Sequence, residues 1–301
     1  MLRPGLALVA LPWLLAGCGR RVTFLNATPA APLPITGSLA RPEGPFPAVV
    51  LFHGCHGVSP QLHRWARWLT ARGYVALVVD SFGPRNVPGD CAPEGPRDPP
   101  TTARLDDAFG PLRYLQAQPY VAADRIAALG FSQGGVYAMA VINGPSIERA
   151  RRRGVDLPAV GFAASVAVYP GGCRSLRDEL VVRPLLVLIG AADDWTPPGP
   201  CEEMVARMRA RGAEASIVLY PGAYHYFDVE GQPLAYLAEV GTDGKPGGPG
   251  ATVWYQAEAA ADAQRRIESF LARHLGRRGG RSPARASEAA RDPLRGPAPR
   301  C

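Results

Sequence analysis

Six short runs of this sequence are apolar at nearly every position, and each is followed within three residues by glycine, proline or aspartate. A strand exposed on one face alternates apolar and polar residues, whereas a strand covered on both faces is apolar throughout. The runs therefore predict strands buried in the middle of a mostly parallel sheet, at 48–52, 74–79, 126–131, 163–169, 185–189 and 217–220.

Segments with the helical spacing of apolar residues separate these runs. The predicted helices span 61–72, 103–118, 134–143, 202–211 and 258–274. The third ends at Asn143-Gly144, a common helix stop signal. Alternating strands and helices are typical of an α/β fold, a doubly wound sheet with helices on both faces. A chain of 301 residues, 47% of them apolar, is large enough for one such domain.

The segments around these elements are rich in proline and glycine. We expect one edge strand at 35–39, a long loop at 82–102 and an irregular segment at 241–250. Long loops without periodicity commonly carry function or cover a site.

The net charge of +7 is concentrated at the C-terminus. Segment 276–301 has seven arginines and two acidic residues, on a background of Pro, Ala, Gly and Ser that cannot bury a core. It is predicted to be a disordered tail. The remainder of the chain is nearly neutral, which argues against a nucleic-acid-binding face. We expect the protein to be a monomer that does not bind nucleic acid. Membrane or nucleic-acid binding by the tail is a weaker alternative.

The first seventeen residues have the features of an export signal. Arg3 lies near the start, an apolar run covers 6–16, and small residues precede a cysteine. The run is too short to span a bilayer. The tetrapeptide at 15–18, Leu-Ala-Gly-Cys, also resembles the bacterial lipobox. The resemblance implies an exported lipoprotein that is anchored to a membrane by acyl chains on Cys18. Gly19 favours the outer membrane if the source is Gram-negative. The alternative is an ordinary secretory leader with an accidental cysteine.

Export would place the other cysteines in an oxidising compartment, where disulfides form. Cys55 and Cys91 follow two early strands, and Cys173 and Cys201 follow two later ones. We predict that each of these pairs is joined by a disulfide. Cys301, at the end of the tail, is left over.

The pentapeptide at 130–134, Gly-Phe-Ser-Gln-Gly, matches the G-x-S-x-G pattern of a nucleophile elbow. In this motif a strand runs into a tight turn that opens a helix, so the serine oxygen projects above the sheet. The match is weak by itself, but here it falls between a predicted buried strand and a predicted helix. Ser132 is therefore the candidate nucleophile.

A serine hydroxyl needs a base to remove its proton, and the chain has only five histidines. His225 follows the last predicted strand on a short loop, and the pair Asp193-Asp194 follows the strand before it. The chain order Ser132, Asp193, His225 is that of the α/β-hydrolases. The motif register, with Thr-Pro three residues after the acid, favours Asp193 over Asp194.

The tetrahedral intermediate of acyl transfer also needs backbone donors for its oxyanion. The amide of Gln133, at the start of a helix, is the first candidate. The second is the amide of Cys55, in a glycine-containing loop at 52–57. We interpret His53 in that loop as a buried, hydrogen-bonded support rather than a second base.

The sequence resembles the dienelactone hydrolase family over residues 35–275. The resemblance rests on Leu-Phe-His-Gly at 51–54, Gly-Phe-Ser-Gln-Gly-Gly at 130–135, and the segments 190–197 and 220–227. It implies the α/β-hydrolase fold, no cofactor or metal, and hydrolysis of small esters or lactones. The predicted domain organisation is a signal peptide at 1–17, a linker at 18–34, the hydrolase domain at 35–275 and the tail at 276–301.

Two departures from the family pattern affect the expected substrate. The founding members use a cysteine nucleophile where this chain has Ser132, so a serine-esterase mechanism is expected. They also bind a substrate carboxylate with arginines. Arg85 matches one of these with an offset of one, but Asp228 stands where the resemblance places the other. We therefore expect neutral substrates to be preferred.

We also expect Trp195 and Tyr224, near the acid and the base in the sequence, to line the substrate site. The predicted reaction is hydrolysis of small carboxylic esters or lactones through an acyl-enzyme on Ser132. The alternatives are an acyl- or peptidyl-hydrolase of the same fold, or a non-catalytic envelope lipoprotein built on a degenerate hydrolase fold.

Overall fold

The structure is a computed structural model that describes residues 20–28, 32–40, 46–89, 91, 101–242 and 250–276. Cys18, Cys301 and the predicted tail from 277 onward lie outside the described residues. Among the described helices, none combines the length and the apolar character that crossing a bilayer requires.

The described residues form ten strands and seven α-helices. The strands are β1 (Arg20–Leu25), β2 (Pro34–Ala40), β3 (Phe46–Phe52), β4 (Val75–Asp80), β5 (Val121–Phe131), β6 (Ala164–Val168), β7 (Leu185–Gly190), β8 (Ala215–Tyr220), β9 (Ala235–Leu237) and β10 (Ala251–Val253). The helices are α1 (Pro60–Thr70), α2 (Thr101–Gln116), α3 (Gln133–Ala140), α4 (Gly144–Arg152), α5 (Cys173–Leu176), α6 (Pro198–Ala210) and α7 (Ala257–Leu275).

Eight strands form one sheet in the order β1-β2-β4-β3-β5-β6-β7-β8. The six strands from β4 to β8 in this order pair in parallel, while β1 and β2 are antiparallel to their neighbours. Strands β3, β6 and β7 are buried at every position, as their continuous apolar sequence predicts. The predicted α/β fold, with a mostly parallel sheet, is confirmed.

The edge of the sheet differs from the prediction. The segment predicted as an edge strand is β2, which pairs with β1 on one side and with β4 on the other. The edge strand on this side of the sheet is β1, which lies within the predicted linker. Its alternating burial, with Val22 and Phe24 inside and their neighbours exposed, is typical of a strand covered on one face only.

The end of the elbow helix also differs. Helix α3 stops at Ala140, and Asn143 begins the next helix instead of ending this one. The Asn143 side chain accepts a hydrogen bond from the Ser146 N–H at 2.9 Å, which is the N-cap contact. An Asn-Gly pair serves either end of a helix, and here Pro145 at the second helical position favours a start.

The structure pairs the sulfur atoms of Cys55 with Cys91 and of Cys173 with Cys201 at bonding distance. These are the two predicted pairs. The first joins the loop after β3 to the loop that precedes α2. The second joins α5 to α6.

We predict that both pairs are oxidised in the mature protein. They close loops with sequence separations of 36 and 28 residues. Replacing Cys173 and Cys201 together by serine should lower the free energy of unfolding by about 3 to 4 kcal/mol, because the unfolded chain regains the loop entropy. Urea unfolding measures this loss, with Cys301→Ser as an unchanged control. Peptide mapping without reduction that finds free thiols at Cys55 or Cys173 would contradict the pairing.

Candidate active site

Ser132 lies in the turn between β5 and α3. Its backbone is strained, with φ 54° and ψ −120°, a region that residues other than glycine rarely occupy. The Ser132 N–H donates to the Val168 carbonyl at 3.0 Å, which ties the turn to the neighbouring strand β6. Strand, tight turn and helix therefore follow one another as the elbow motif requires.

The glycines of the elbow are required by close backbone contacts. A Cβ on Gly130 would collide with the Gly134 carbonyl, and a Cβ on Gly134 would collide with the Phe52 carbonyl. A Cβ on Gly135 would lie 2.7 Å from the Cβ of Pro170. The helix can begin this close to β3 and β6 only because these positions have no side chain.

Asp193 and His225 follow β7 and β8, which are parallel neighbours, so both residues reach the same edge of the sheet. His225 Nδ1 and Asp193 Oδ2 are 2.8 Å apart, and both side chains are completely buried. The spacing of the two loops depends on Gly190, where a Cβ would collide with the Ala223 carbonyl.

The Asp193 carboxylate accepts several further hydrogen bonds. Its Oδ1 accepts from the backbone N–H groups of Trp195 at 3.0 Å and Thr196 at 2.8 Å. Its Oδ2 lies 3.1 Å from the Thr196 hydroxyl, which is itself 3.2 Å from the Tyr169 carbonyl. A carboxylate surrounded by donors acts as an acceptor, so His225 carries its proton on Nδ1.

The other nitrogen of the imidazole, His225 Nε2, is buried and has no hydrogen-bond partner among the described residues. With the proton on Nδ1, this nitrogen has a free lone pair. No hydrogen bond joins it to the Ser132 hydroxyl here, and such contacts commonly tighten only when substrate is bound. The imidazole can accept a proton at Nε2 while Asp193 orients the ring.

Besides the neighbouring Tyr226, two aromatic rings pack against the imidazole. The ring centroids of Tyr169 and Trp195 lie 4.4 Å and 4.7 Å from that of His225. Trp195, predicted to contact substrate, is 4% exposed, and its indole N–H donates to the Gly241 carbonyl at 2.9 Å. Its position is therefore that of a support for His225. Tyr224 is half-buried, next to the histidine in the chain.

Asp194 is exposed, and its carboxylate accepts from the Thr252 N–H at 2.7 Å and from the Thr252 hydroxyl at 2.8 Å. Thr252 belongs to β10. Asp193 and Asp194 thus have different partners. Asp193 contacts His225, and Asp194 binds Thr252 in the β9–β10 hairpin.

That hairpin covers the histidine. The Trp254 N–H donates to the His225 carbonyl at 3.0 Å, and the Gly241 N–H donates to the Cys91 carbonyl at 3.2 Å. Val253 is buried together with Cys55 and Trp195 in a small second core. The hairpin, which no sequence pattern indicated, shields the site from water.

His53 supports the loop after β3, in agreement with its interpretation from the sequence. It is 1% exposed, its Nδ1 lies 2.7 Å from the Gly54 carbonyl, and its Nε2 lies 3.2 Å from the Ser81 N–H. The carbonyl needs a donor and the N–H needs an acceptor, so the ring is neutral with its proton on Nδ1. Burial and the nearby Arg104 guanidinium hold the pKa of His53 well below its usual value.

Arg85, the candidate carboxylate binder, is already paired. Its guanidinium binds both oxygens of Asp107, at 2.7 and 2.9 Å, and donates to the Ser81 carbonyl at 2.7 Å. A bidentate pair of this kind is strong and directional. The structure therefore assigns Arg85 to the attachment of α2, in contrast to the role that the resemblance implied.

Asp228 is engaged as well. Its carboxylate accepts from the Gln61 amide, the Trp65 indole and the Tyr169 hydroxyl, at 2.7, 2.7 and 2.6 Å. Three neutral donors, two on α1 and one directly after β6, thus stabilise this carboxylate. The expected preference for neutral substrates stays a prediction.

Sequence reasoning missed three residues of this site. Thr196 lies inside the motif that identified Asp193, so the motif itself could have indicated it. Tyr169 ends a predicted strand and has φ 36°, and only the fold places it beside His225. Arg104 lies on α2, far from any motif, and contacts the Gln133 side chain and the His53 carbonyl. No local pattern marks it.

Comparisons with known proteins agree with this architecture. The model of the dienelactone hydrolase family matches residues 35–275. A probable 2-oxo-3-(5-oxofuran-2-ylidene)propanoate lactonase from a Bradyrhizobium species is 29% identical over 197 residues, covering 63% of this chain and 77% of the lactonase. Human acyl-coenzyme A thioesterase 1 is 24% identical over 288 residues, covering 83% of this chain and 66% of the thioesterase.

Among solved structures, Thermogutta terrifontis esterase 2 phosphorylated by paraoxon has a TM-score of 0.60 at 16% identity. The similarity covers 85% of this chain and 95% of the esterase. At that identity it establishes the fold. The sheet of this chain has the elbow and the Asp–His pair at the carboxyl ends of its strands, and the family model matches most of the chain. The chain therefore belongs to the dienelactone hydrolase family of ester and lactone hydrolases.

Proposed function

We propose that the protein is a serine hydrolase that cleaves small carboxylic esters or lactones through an acyl-enzyme on Ser132. The observation that carries the proposal is the buried Asp193–His225 pair. In this pair, His225 Nε2 has no hydrogen-bond partner among the described residues. It lies at the edge of the sheet that also carries the strained Ser132 elbow. Nucleophile, base and orienting acid together support acyl transfer.

In the proposed reaction, the Ser132 hydroxyl attacks the carbonyl carbon while His225 Nε2 takes its proton. The carbonyl oxygen becomes an oxyanion and is stabilised by the backbone N–H groups of Cys55 and Gln133. When the intermediate collapses, His225 returns the proton to the leaving alkoxide, and the acyl group remains on serine. A water molecule then repeats the sequence and releases the acid.

Asp193 would hold the imidazole with its proton on Nδ1 and stabilise the imidazolium that forms in each half of the reaction. Thr196 and the two aromatic rings limit rotation of the imidazole. The fixed geometry should lower the barrier because little reorganisation is left for the transition state.

Neutral esters and lactones are the proposed substrates. The pairing of Arg85 with Asp107 removes the arginine that the resemblance offered for a substrate carboxylate. Thioesters are a second class to examine, because the chain is 24% identical to a human acyl-coenzyme A thioesterase and spans about two thirds of it.

We also propose that the mature protein begins at Cys18 and is held at a membrane on the exported side of a bacterial envelope by acyl chains on that residue. The proposal rests on the lipobox-like sequence at 15–18.

A fluorophosphonate probe tests the nucleophile. We expect it to label the wild-type protein on Ser132 and to abolish hydrolysis of p-nitrophenyl acetate. Ser132→Ala should lose both labelling and activity while its melting temperature is unchanged. A correctly folded wild-type protein that neither reacts with the probe nor hydrolyses any ester, lactone or thioester would support the non-catalytic alternative.

The neighbouring aspartates form a matched pair for testing the acid. Asp193→Asn should lose up to about 10⁴ in kcat, because asparagine favours the wrong imidazole tautomer. Asp194→Asn should stay within about tenfold of wild type, less than 1.4 kcal/mol in barrier, because it only weakens the contact with Thr252. Steady-state kinetics on purified, folded variants gives both values. A severe loss on Asp194 alone would transfer the acid role to that residue.

The substrate charge preference is tested with a neutral ester and its free-acid analogue of equal size. We expect kcat/KM to be at least about tenfold higher for the neutral compound, since desolvating an unpaired carboxylate is costly. Faster hydrolysis of the anionic compound would mean that another cation binds its carboxylate.

Intact mass analysis of protein extracted from membranes tests the anchor. The expected mass is that of a chain starting at Cys18 with acyl groups attached, and Cys18→Ser should abolish the added mass. Recovery of an unmodified wild-type protein cut at another position would refute the lipid anchor.

A further inference from the structure

Arg104 is a buried cation beside the nucleophile elbow that the proposed mechanism does not use. It lies near the start of α2 and is 3% exposed. Burying a guanidinium is costly unless specific groups bind it. Its partners therefore indicate what it holds in place.

The guanidinium touches both segments that offer oxyanion donors. One terminal nitrogen donates to the side-chain oxygen of Gln133, the residue after the nucleophile. The other donates to the His53 carbonyl at 2.9 Å, two residues before Cys55. Arg104 thus bridges the start of α3 and the loop after β3.

The bridge has a fixed geometry. The guanidinium carbon lies 4.7 Å from the ring centroid of Phe82 and 4.5 Å from that of Tyr137, so aromatic faces contact the planar group. The two donors point along different directions of a rigid fork. A lysine would carry the same charge but could not reproduce this fork.

The loop side of the bridge is itself stiff. His53 donates from Nδ1 to the Gly54 carbonyl and accepts at Nε2 from the Ser81 N–H. Its backbone carbonyl is the acceptor for Arg104, so the guanidinium and the imidazole hold the same short segment from two sides. Gly54 in turn packs against the elbow, where an added Cβ would lie 3.5 Å from the Ser132 Cβ.

We propose that Arg104 is a positioning residue that sets the separation of the two oxyanion donors, the amides of Cys55 and Gln133. The inference rests on the proposed function, because it assigns those amides to the oxyanion. Donors stabilise an oxyanion only near hydrogen-bond distance of its final position, so a small shift of either segment weakens the transition state more than the ground state.

The first test compares Arg104→Lys with Arg153→Lys. Arg153 is the control, an exposed arginine at the end of α4 that binds Asp106 of α2 at 2.7 Å. On p-nitrophenyl acetate, we expect Arg104→Lys to lower kcat on the order of 10- to 100-fold, less than complete loss of a donor would cost. KM should change less than about threefold. Arg153→Lys should match wild type within about twofold.

A trifluoromethyl ketone supplies the readout that a purely structural role would leave unchanged. It adds to Ser132 and forms a tetrahedral oxyanion without a leaving group. For Arg104→Lys we expect its inhibition constant to rise by the same factor by which kcat/KM falls, at an unchanged melting temperature. An inhibition constant equal to that of wild type would overturn the inference.

Gln133→Ala keeps the inference testable if Arg104→Lys unfolds. It retains the backbone N–H but removes the acceptor of Arg104, so we expect a smaller loss in the same parameters. If both variants fold, the double variant should be no worse than Arg104→Lys alone, because the two changes break one bridge. Additive losses, or Gln133→Ala with wild-type kinetics, would overturn it.

These experiments distinguish an error in the proposed function from an error in the role of Arg104. If wild-type protein is neither labelled by fluorophosphonate nor active on esters, lactones or thioesters, the reaction assignment is wrong. If wild type is active and Arg104→Lys behaves like Arg153→Lys, only the role of Arg104 is wrong.

Discussion

Backbone packing of the elbow helix against the end of β3 is the constraint on which the candidate site depends. Gly134 lies so close to the carbonyl of Phe52 that any side chain would overlap it, and a Cβ there would lie 2.7 Å from the His53 carbonyl. This contact fixes the distance between the first turn of α3 and the loop after β3. Both segments carry a backbone N–H group proposed as an oxyanion donor, that of Gln133 and that of Cys55. The glycines therefore serve close approach more than flexibility. The strain at Ser132 is tolerated because β3 and β6, the neighbours of β5 in the sheet, are completely buried.

The second condition is exclusion of water from the Asp–His pair. Hydrogen bonds between buried polar groups are stronger in a low dielectric, but a buried group without a partner is costly. Here the cover is a short hairpin held by Asp194 at one end and by Gly241 at the other. The hairpin also reaches Cys91, whose partner Cys55 lies in the loop after β3. One small core therefore links the cover, the acid loop and the proposed oxyanion loop.

The parts of this site that the sequence predicts are those with a local signature. Continuous apolar runs identified the buried strands, and the elbow motif identified Ser132 because a strand and a helix flank it. Asp193 and His225 could be proposed as the acid and the base because parallel strands deliver their following loops to one edge. The partners of Arg85 and Asp228 could not be predicted from local sequence, since each lies more than twenty positions away in the chain, Asp107 and Tyr169 respectively. The hairpin was missed because two three-residue strands carry too few positions for a periodic pattern.

Asp228 shows why a charge beside a catalytic motif does not by itself predict substrate charge. It takes the place where the family resemblance suggests an arginine, yet its oxygens are bound by donors from α1 and by Tyr169. Tyr169 is completely buried, and its ring packs 4.4 Å from the imidazole of His225. Burial, together with the proximity of Asp228, raises the pKa of the Tyr169 hydroxyl well above its usual value, so it remains a donor to this carboxylate. The Asp228 carboxylate thus holds Tyr169 in place, and the Tyr169 ring packs on His225. At the position where the resemblance places an arginine, this chain has a carboxylate bound to a residue that packs on His225. The proposed neutral substrates do not need a cation at this position.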